Sequence, residues 1–412
     1  MQSQSYDVLI VGGGLVGATL ACALRGTGLR IALIEANPLN TASQPSFDDR
    51  TVALSYGSRQ ILDRIGLWAP LSSQVEPIKT IHISDRGHFG VTRLRHDEEG
   101  VEALGYVAEN RVLGEVLYAE LQNSSDIELF CPAQVSTLQS GDDHVEVRVQ
   151  QGEQVLNLTG RLLVAADGVS SKVRQMLQIA ASRQDYAQSA IITNIRPGQM
   201  HNNVAYERFT DTGPLAFLPM TRSAGKQRCS VVWTVPSDQA EALMQHDDAS
   251  FLAALQQRFG YRLGRLQQLG KRQVYPLALV ETTQLVRGRV VVVGNAAHSI
   301  HPVAGQGFNL ALRDIALLAE LLGQTEDAGD AALLESYVSA RQEDAQRVYR
   351  FTDTLVKLFS NHFSPLAHAR AAGLLTVDLL PSLKHALARQ SMGLGGNLSR
   401  LGRGLAAHKE QA

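Results

Sequence analysis

Cysteine is scarce. Cys22, Cys131 and Cys229 are the only three in 412 residues, and they lie far apart. With no CxxC spacing and an odd count, a disulfide framework and a cysteine metal cluster are both excluded, and a reduced, cytoplasmic protein is expected. Charge of one sign is also missing: 38 basic against 40 acidic residues leave a net charge of -2. That excludes a global basic field for nucleic acid. Apart from the N-terminal stretch, no uninterrupted apolar run approaches the length needed to span a bilayer. Internal repeats and low-complexity tracts are absent. The apolar stretch Val8–Leu24 contains Leu20-Ala21-Cys22, which has the look of a lipoprotein cleavage site. Asp7 precedes it and no Lys or Arg does, so the positive n-region of a signal peptide is missing. Gly12, Gly13 and Gly14 in a row suit a turn better than a signal helix.

What is present is 44% apolar residues, ample for more than one domain. Tyr6–Val11 reads as a buried strand, Gly12-Gly13-Gly14-Leu15-Val16-Gly17 as GxGxxG, and Ala18–Leu24 as a small-residue helix. Arg30–Ile34 is a second strand, closed by Glu35. Strand, glycine loop, helix, strand and acid in that order form the βαβ unit of a dinucleotide site. Gly12 permits the turn, Gly14 lets the backbone approach a pyrophosphate, and Gly17 lets the helix pack on the strand. The free N–H groups of the helix start favour phosphate. Glu35 is placed to accept from ribose hydroxyls.

Further along, Ile81 and Ile83 suggest a strand before a glycine-rich turn at 87–90, and Asn110–Leu121 reads as a helix. Ile127–Val149 alternates like a hairpin turning at Gly141-Asp142-Asp143. Leu162–Ala166 is a buried strand, followed by Asp167-Gly168-Val169-Ser170-Ser171-Lys172-Val173-Arg174. Residues 186–273 read mainly as β, with one helical piece near Ala249–Phe259. The end of the chain reads as helical, broken at Pro365 and Pro381. Another glycine-bearing loop, Gly294-Asn295-Ala296-Ala297-His298 through Gly305-Gln306-Gly307-Phe308-Asn309, lies between a strand and a helix. His298 and His301 are spaced i, i+3 without cysteine or carboxylate neighbours, so no metal site is expected.

These three motifs, in this order over about 300 residues, resemble the single-component aromatic hydroxylases built on the para-hydroxybenzoate hydroxylase fold. The Gly294–Leu310 segment, with Glu207–Thr210 and Gly213–Pro219, is similar to the ubiquinone-biosynthesis hydroxylases of the 2-octaprenyl-6-methoxyphenyl hydroxylase type. The resemblance implies an α/β fold: a Rossmann-like FAD-binding domain, an inserted mainly antiparallel β-sheet substrate domain and a helical C-terminal segment. The implied boundaries are 1–75, 100–185 and 274–345 for the FAD-binding domain, 76–99 and 186–273 for the substrate domain, and 346–412 for the C-terminal region.

It also implies FAD as cofactor and NADH or NADPH as co-substrate. The O₂ chemistry would pass through a flavin C4a-hydroperoxide, and the substrate would be a small prenylated phenol, 2-polyprenyl-6-methoxyphenol. Contact with a ubiquinone-biosynthesis protein complex and a peripheral position on the inner face of the cytoplasmic membrane follow as expectations. So does a role for Phe359–Leu383 as an interfacial surface, with a packed terminal helix as the alternative. Implied cofactor contacts are Gly12, Gly14, Leu15, Val16, Gly17, Glu35, Arg50, Arg111, Val135, Asp167, Asn295, Pro302, Gly305, Gln306, Gly307, Phe308 and Asn309.

The family carries Asp where this chain has Asn295, so the contact to the ribityl chain would keep an amide acceptor and lose a charge. The helix starting near Phe308 would aim its positive end at reduced flavin. His301 and Pro302 are the residues placed on the flavin or substrate face; a packed His301 remains the alternative. For Arg50 and Arg111 the alternative is a surface ion pair. For the Asp167 segment it is a simple turn, with Ser170 as helix cap and Arg174 in solvent. The rival functions are an FAD-dependent reductase or halogenase, a hydroxylase of another ring position, and a flavin-holding protein without turnover. With only Trp68 and Trp233, the chain lacks a halogenase's tryptophan pair.

Overall fold

The computed structural model describes residues 4–38, 44, 46, 48–301, 305–359, 364–396 and 398–406. Gln4–Val11 is the centre of an eight-stranded sheet. Its parallel core runs Val290–Val292, Gln154–Ala165, Gln4–Val11, Ile31–Ile34, Ile127–Phe130. Val8, Leu9 and Ile10 are fully buried, as a strand covered on both faces must be. Val8 and Ile10 pack against Leu15–Ala23 and Gln306–Leu322, the two helices that follow the glycine loops. Leu9 and Val11 pack against the hairpin Gln134–Ser140/Val145–Gln151. The hairpin is therefore shorter than the alternation implied, because Ile127–Phe130 pairs in parallel with Ile31–Ile34 instead.

A nine-stranded, mainly antiparallel sheet forms the second layer system. Its order is His298–Ser299, Gln273–Thr282, Ala181–Arg196, Lys226–Pro236, Gly213–Ser223, Val204–Thr210, Thr80–Asp85, Val91–Arg95, with Gln268–Leu269 on the side. The single parallel pair joins Val204–Thr210 to Thr80–Asp85, so the early segment crosses to the later one. One face carries Ile191, Leu215, Phe217, Val231 and Trp233, all buried against Phe251, Leu255 and Phe259 of the helix Asp248–Phe259. A second helix, Ser237–Gln245, also covers it; the sequence reading missed this helix between strands. The expected boundary at 273 falls on the first residue of the Gln273–Thr282 strand.

A small sheet, Thr51–Ser55, Gly105–Glu109 and Glu76–Ile78, lies between the two large ones. It is fastened to the nine-stranded sheet by Thr51 Oγ1 donating to Ser230 Oγ at 2.8 Å and by the Arg228–Glu109 ion pair at 2.5 Å. After residue 330 the described residues form three long helices, Ala331–Phe359, Ser364–Leu379 and Pro381–Ser391, and a short 3-10 turn at Leu401–Arg403. Pro381 opens the last of the three helices, where its missing N–H costs nothing. No described helix is long and apolar enough to cross a membrane.

Candidate functional site

The first loop is shaped by close approach. Gly12 has φ +102°, and a Cβ there would lie 2.5 Å from the Ala166 carbonyl oxygen. A Cβ on Gly17 would lie 1.9 Å from the Gly12 carbonyl oxygen. Only glycine lets helix Leu15–Ala23, strand Gln4–Val11 and residue 166 pack so tightly. Gly14 is the N-cap of that helix and offers no side chain to its free N–H groups, which stay available to an anion. Leu15 and Val16 form its first turn. Tyr118 donates to the Gly13 carbonyl at 2.9 Å and holds the loop from behind. Glu35 is buried at the strand end; one carboxylate oxygen accepts from Gly13 N at 2.5 Å and the other from Asn37 N at 2.6 Å. The second oxygen also accepts from Asn37 Nδ2 at 3.0 Å, so capacity for a further donor remains on the oxygen that faces Gly13.

The second motif meets the first. Asp167 follows Ala166, and one of its carboxylate oxygens accepts from Val173 N at 3.1 Å. The other, Oδ1, is buried and has no partner among the described residues. An orphaned buried carboxylate oxygen is costly unless a ligand supplies a donor. The plainer alternative for this segment, with Ser170 as helix cap and Arg174 in solvent, does not hold. The helix cap is Ser171, not Ser170: its Oγ accepts from Arg174 N at 3.0 Å. Arg174 is buried rather than solvated, because its guanidinium donates to the Ala296 carbonyl at 2.6 Å and to the Val169 carbonyl at 2.9 Å. It thereby ties the second motif to the third.

The third motif closes on the first. A Cβ on Gly294 would lie 2.9 Å from the Val16 methyls, so this loop rests directly on the first helix. Asn295 is exposed beside them, free to reach a ligand. Gly305 adopts the left-handed conformation, φ +61°, as N-cap of helix Gln306–Leu322. Gln306 and Asn309 are buried and Phe308 is half-buried. Around Gly307 nothing lies within 4 Å of an added Cβ among the described residues. Pro302 lies outside the described residues. The Asn309 side chain is spent on the protein. It accepts from Ser55 N (2.8 Å) and Ser58 Oγ (2.7 Å), and donates to the carbonyls of Ala53 (2.8 Å) and Gly305 (2.7 Å). Only its main chain remains for a cofactor.

His301 is fully buried, with its ring edge-on to Tyr186 at 5.3 Å, and burial pushes its pKa down to about 4. It is thus neutral at physiological pH. His298 pairs with Asp314 at 2.8 Å, and Asp314 accepts from Arg341 at 2.6 Å. Asp344 bridges Arg341 (2.7 Å) and Arg313 (3.2 Å). This buried set ties the loop to the two long helices behind it, and nothing in the residue pattern announced it.

Arg50 and Arg111 come together on the wall of one cleft of about 1210 Å³, with Ile192, Asn194, Arg228 and Tyr275. Arg50 is paired with Asp48 at 2.6 Å and lies over the Tyr275 ring at 5.0 Å. Arg111 pairs with Glu115 at 2.8 Å. Val135 is buried in the hairpin layer against the parallel sheet.

The donor set, the glycine cradle and the unpartnered Asp167 oxygen fit a dinucleotide such as FAD. Residues 5–352 match the FAD binding domain family. The chain is 37% identical to the ubiquinone hydroxylase UbiL of Rhodospirillum rubrum, over 97% of this chain and 93% of that protein. It is 30% identical to the 3-demethoxyubiquinol 3-hydroxylase of Escherichia coli, over 96% of this chain and all of that one. Its fold is that of p-nitrophenol 4-monooxygenase from Pseudomonas putida, with a TM-score of 0.77, 19% identity, and 96% and 100% of the two chains covered. The chain belongs to the FAD-binding family of flavin-dependent monooxygenases that includes the ubiquinone hydroxylases.

Proposed function

We propose that the chain is an FAD-, NAD(P)H- and O₂-dependent hydroxylase of a prenylated phenol in ubiquinone biosynthesis. The carrying observation is that three motifs more than 100 residues apart meet within a few ångströms, through Gly17 on Ala166, Gly294 on Val16 and Arg174 on Ala296. Gly12–Gly17 and Glu35 would hold the adenosine end, Asp167 the pyrophosphate side, and Asn295 with Gly305–Asn309 the other end. Arg50 and Arg111, on the shared cleft, would take the phosphates or the nicotinamide nucleotide. Bound FAD would accept two electrons from NAD(P)H and deliver one atom of O₂ to the ring, the other leaving as water.

The expected substrate is 2-polyprenyl-6-methoxyphenol. Hydroxylation of another ring position is the second reading, favoured by the relative named for 3-demethoxyubiquinol. Mass spectrometry of lipid quinone intermediates from cells lacking the protein separates the two. Accumulated 2-polyprenyl-6-methoxyphenol supports the first, and a different blocked intermediate moves the step. A flavin-holding protein without turnover would show FAD uptake with no substrate-stimulated O₂ consumption.

A prenyl tail must enter from a membrane. Leu375, Leu379, Leu380 and Leu383 are exposed near the end of the chain. Exposed Phe89 stands on the turn beside them, where Gly90 packs on Ala371. This surface supports a peripheral bilayer contact. Phe363 and the side chains of Leu366 and His368 lie outside the described residues. In the full chain, Leu379→Glu with Leu383→Glu is expected to reduce co-sedimentation with liposomes; unchanged binding would remove this surface from the reading.

A further inference from the structure

One face of the nine-stranded sheet is dry, packed with Leu215, Phe217, Val231 and Trp233. The other is not. Gln273, Ile192, Val232, Ala216, Glu207 and Ile83 are successive partners across six strands. Each keeps part of its surface accessible. The row begins on the wall of the large cleft, at Gln273 and Ile192, and leads inward to Glu207. Its face lies toward the strand Thr51–Ser55. Ser230, on the Val232 side, bonds Thr51, while Ala53 packs with Ile81, Leu218 and Ala205. Ala53 in turn touches the loop at Gly305 and is held by Asn309. The row therefore runs beneath the end of the cofactor site opposite the phosphates.

Glu207 is the one ionisable group in that row. It is enclosed by the protein, with part of its surface still accessible. Its neighbours across the strands, Ile83 and Ala216, and those one step along, Ala205, Phe209, Ile81 and Leu218, carry no charge. Asp85, on the same face, is taken by Arg370 at 3.2 Å. Arg208 and Tyr206 project to the opposite face, where Tyr206 meets Phe259. Thr51 and Ser230, from the elements above, bond each other. Among the described residues the Glu207 carboxyl has no partner, which is expensive in apolar surroundings, and a ligand hydroxyl would relieve it. A mainly apolar row with one ionisable group at its inner end also matches an apolar ring that must be oriented by its hydroxyl.

We propose that Glu207 receives the ring hydroxyl of the phenol and acts as its proton acceptor, a role that rests on the hydroxylase reading above. The phenolic O–H bond breaks, its electron pair stays on the ring oxygen, and the proton moves to a Glu207 carboxylate oxygen. The ring gains electron density at the carbons ortho and para to that oxygen, where an oxygen atom from O₂ is accepted. That carbon releases its hydrogen as a proton when aromaticity returns, and Glu207 gives its own proton back to the ring oxygen. The carboxyl ends as it began, and the redox balance is carried by NAD(P)H and O₂. Burial raises the Glu207 carboxyl to about 7, which suits a group that must both take and return a proton near neutral pH.

The test uses the full-length, FAD-loaded protein with 2-methoxy-6-geranylphenol as probe, reading hydroxylated product rather than NAD(P)H loss. Wild-type kcat/KM is expected to rise through an acid limb near pH 7. Glu207→Gln is expected to bind FAD as wild type does, to change KM by only a few-fold, and to lower kcat by about 100-fold or more with that limb gone. Glu207→Asp should restore part of the rate and a limb. A wild-type profile flat through pH 7, or a Gln variant within about threefold of wild type, would overturn the role of Glu207 while leaving the hydroxylase intact. Absence of product from the wild type itself, despite bound FAD, would instead bring down the hydroxylase reading, and this proposal with it.

Discussion

The two glycine-bearing loops differ in what makes them glycine-bearing. In the first, an added Cβ at Gly12 or Gly17 would strike backbone of the protein itself, at 2.5 and 1.9 Å. In the second, Gly294 would strike the Val16 side chain, yet Gly307 has nothing within 4 Å among the described residues. The first loop is thus explained by its own packing. At Gly307 the protein alone gives no reason for glycine, which is what a surface shaped to a ligand looks like. A collision inside the fold and a glycine without close neighbours among the described residues make different demands on mutation.

The largest expected effect follows from the collision. Gly17→Ala should abolish FAD uptake and leave little folded protein, since backbone must move to admit the methyl group. Soluble yield and flavin absorbance measure it, and a stable, yellow variant would break the contrast. Next, Arg341→Met should cost about 3–5 kcal/mol by denaturant unfolding, because Asp314 and Asp344 would stay buried with charges poorly compensated. That tests whether the second loop depends on the ion set behind it. Asn309→Ala should cost about 1–3 kcal/mol, as it strands buried donors and acceptors at the clasp. It should also weaken FAD binding through misplacement of the helix start.

The pH dependence has two opposite signs. His301 has a folded pKa near 4 against about 6.5 unfolded, so its neutral form favours the fold. That contribution is complete above about 6.5 and is lost as pH falls toward 4. His301→Asn should flatten the fall in melting temperature over that window. Glu207 has a folded pKa near 7 against an ordinary value of 4.5, so the protonated carboxyl favours the fold. Its contribution is complete below 4.5 and is lost as pH rises through 7. Glu207→Gln should therefore melt higher than wild type at pH 8 and alike at pH 4. The smallest effect on stability belongs to Gly307→Ala, within about 0.5 kcal/mol without cofactor. FAD affinity should fall markedly in the same variant; an unchanged affinity would mean that the space beside Gly307 is not used.

Much of the parallel sheet was legible, because Tyr6–Val11, Leu162–Ala166 and Val290–Val293 are apolar runs closed by turn residues. The inserted antiparallel strands were legible from alternation. Ser237–Gln245 was not, since its only signals, Pro236 and an acid in the first turn, sit inside a run of strands. The burial of Arg174 was not legible, because a lone Arg after a helix start gives no sign of the carbonyl at 296 that it bonds. Asn309 was expected to face a cofactor, and its side chain is instead consumed by four protein bonds. Glu207 stood in a quoted motif without a role, because a carboxyl in sequence does not show whether a partner will reach it.

By itself the sequence determined the parts whose physics is local. Those are the strand that must be buried on both faces, the turn that only glycine can make, the helix start that leaves its N–H groups open, and the acid at a strand end. Tertiary structure alone decided the rest. It set Arg174 against Ala296, laid Gly294 on Val16, and left Glu207 among apolar neighbours with no counter-charge from the described residues. Those outcomes depend on which surfaces meet across more than a hundred residues, and a burial energy or a missing partner exists only once they have met.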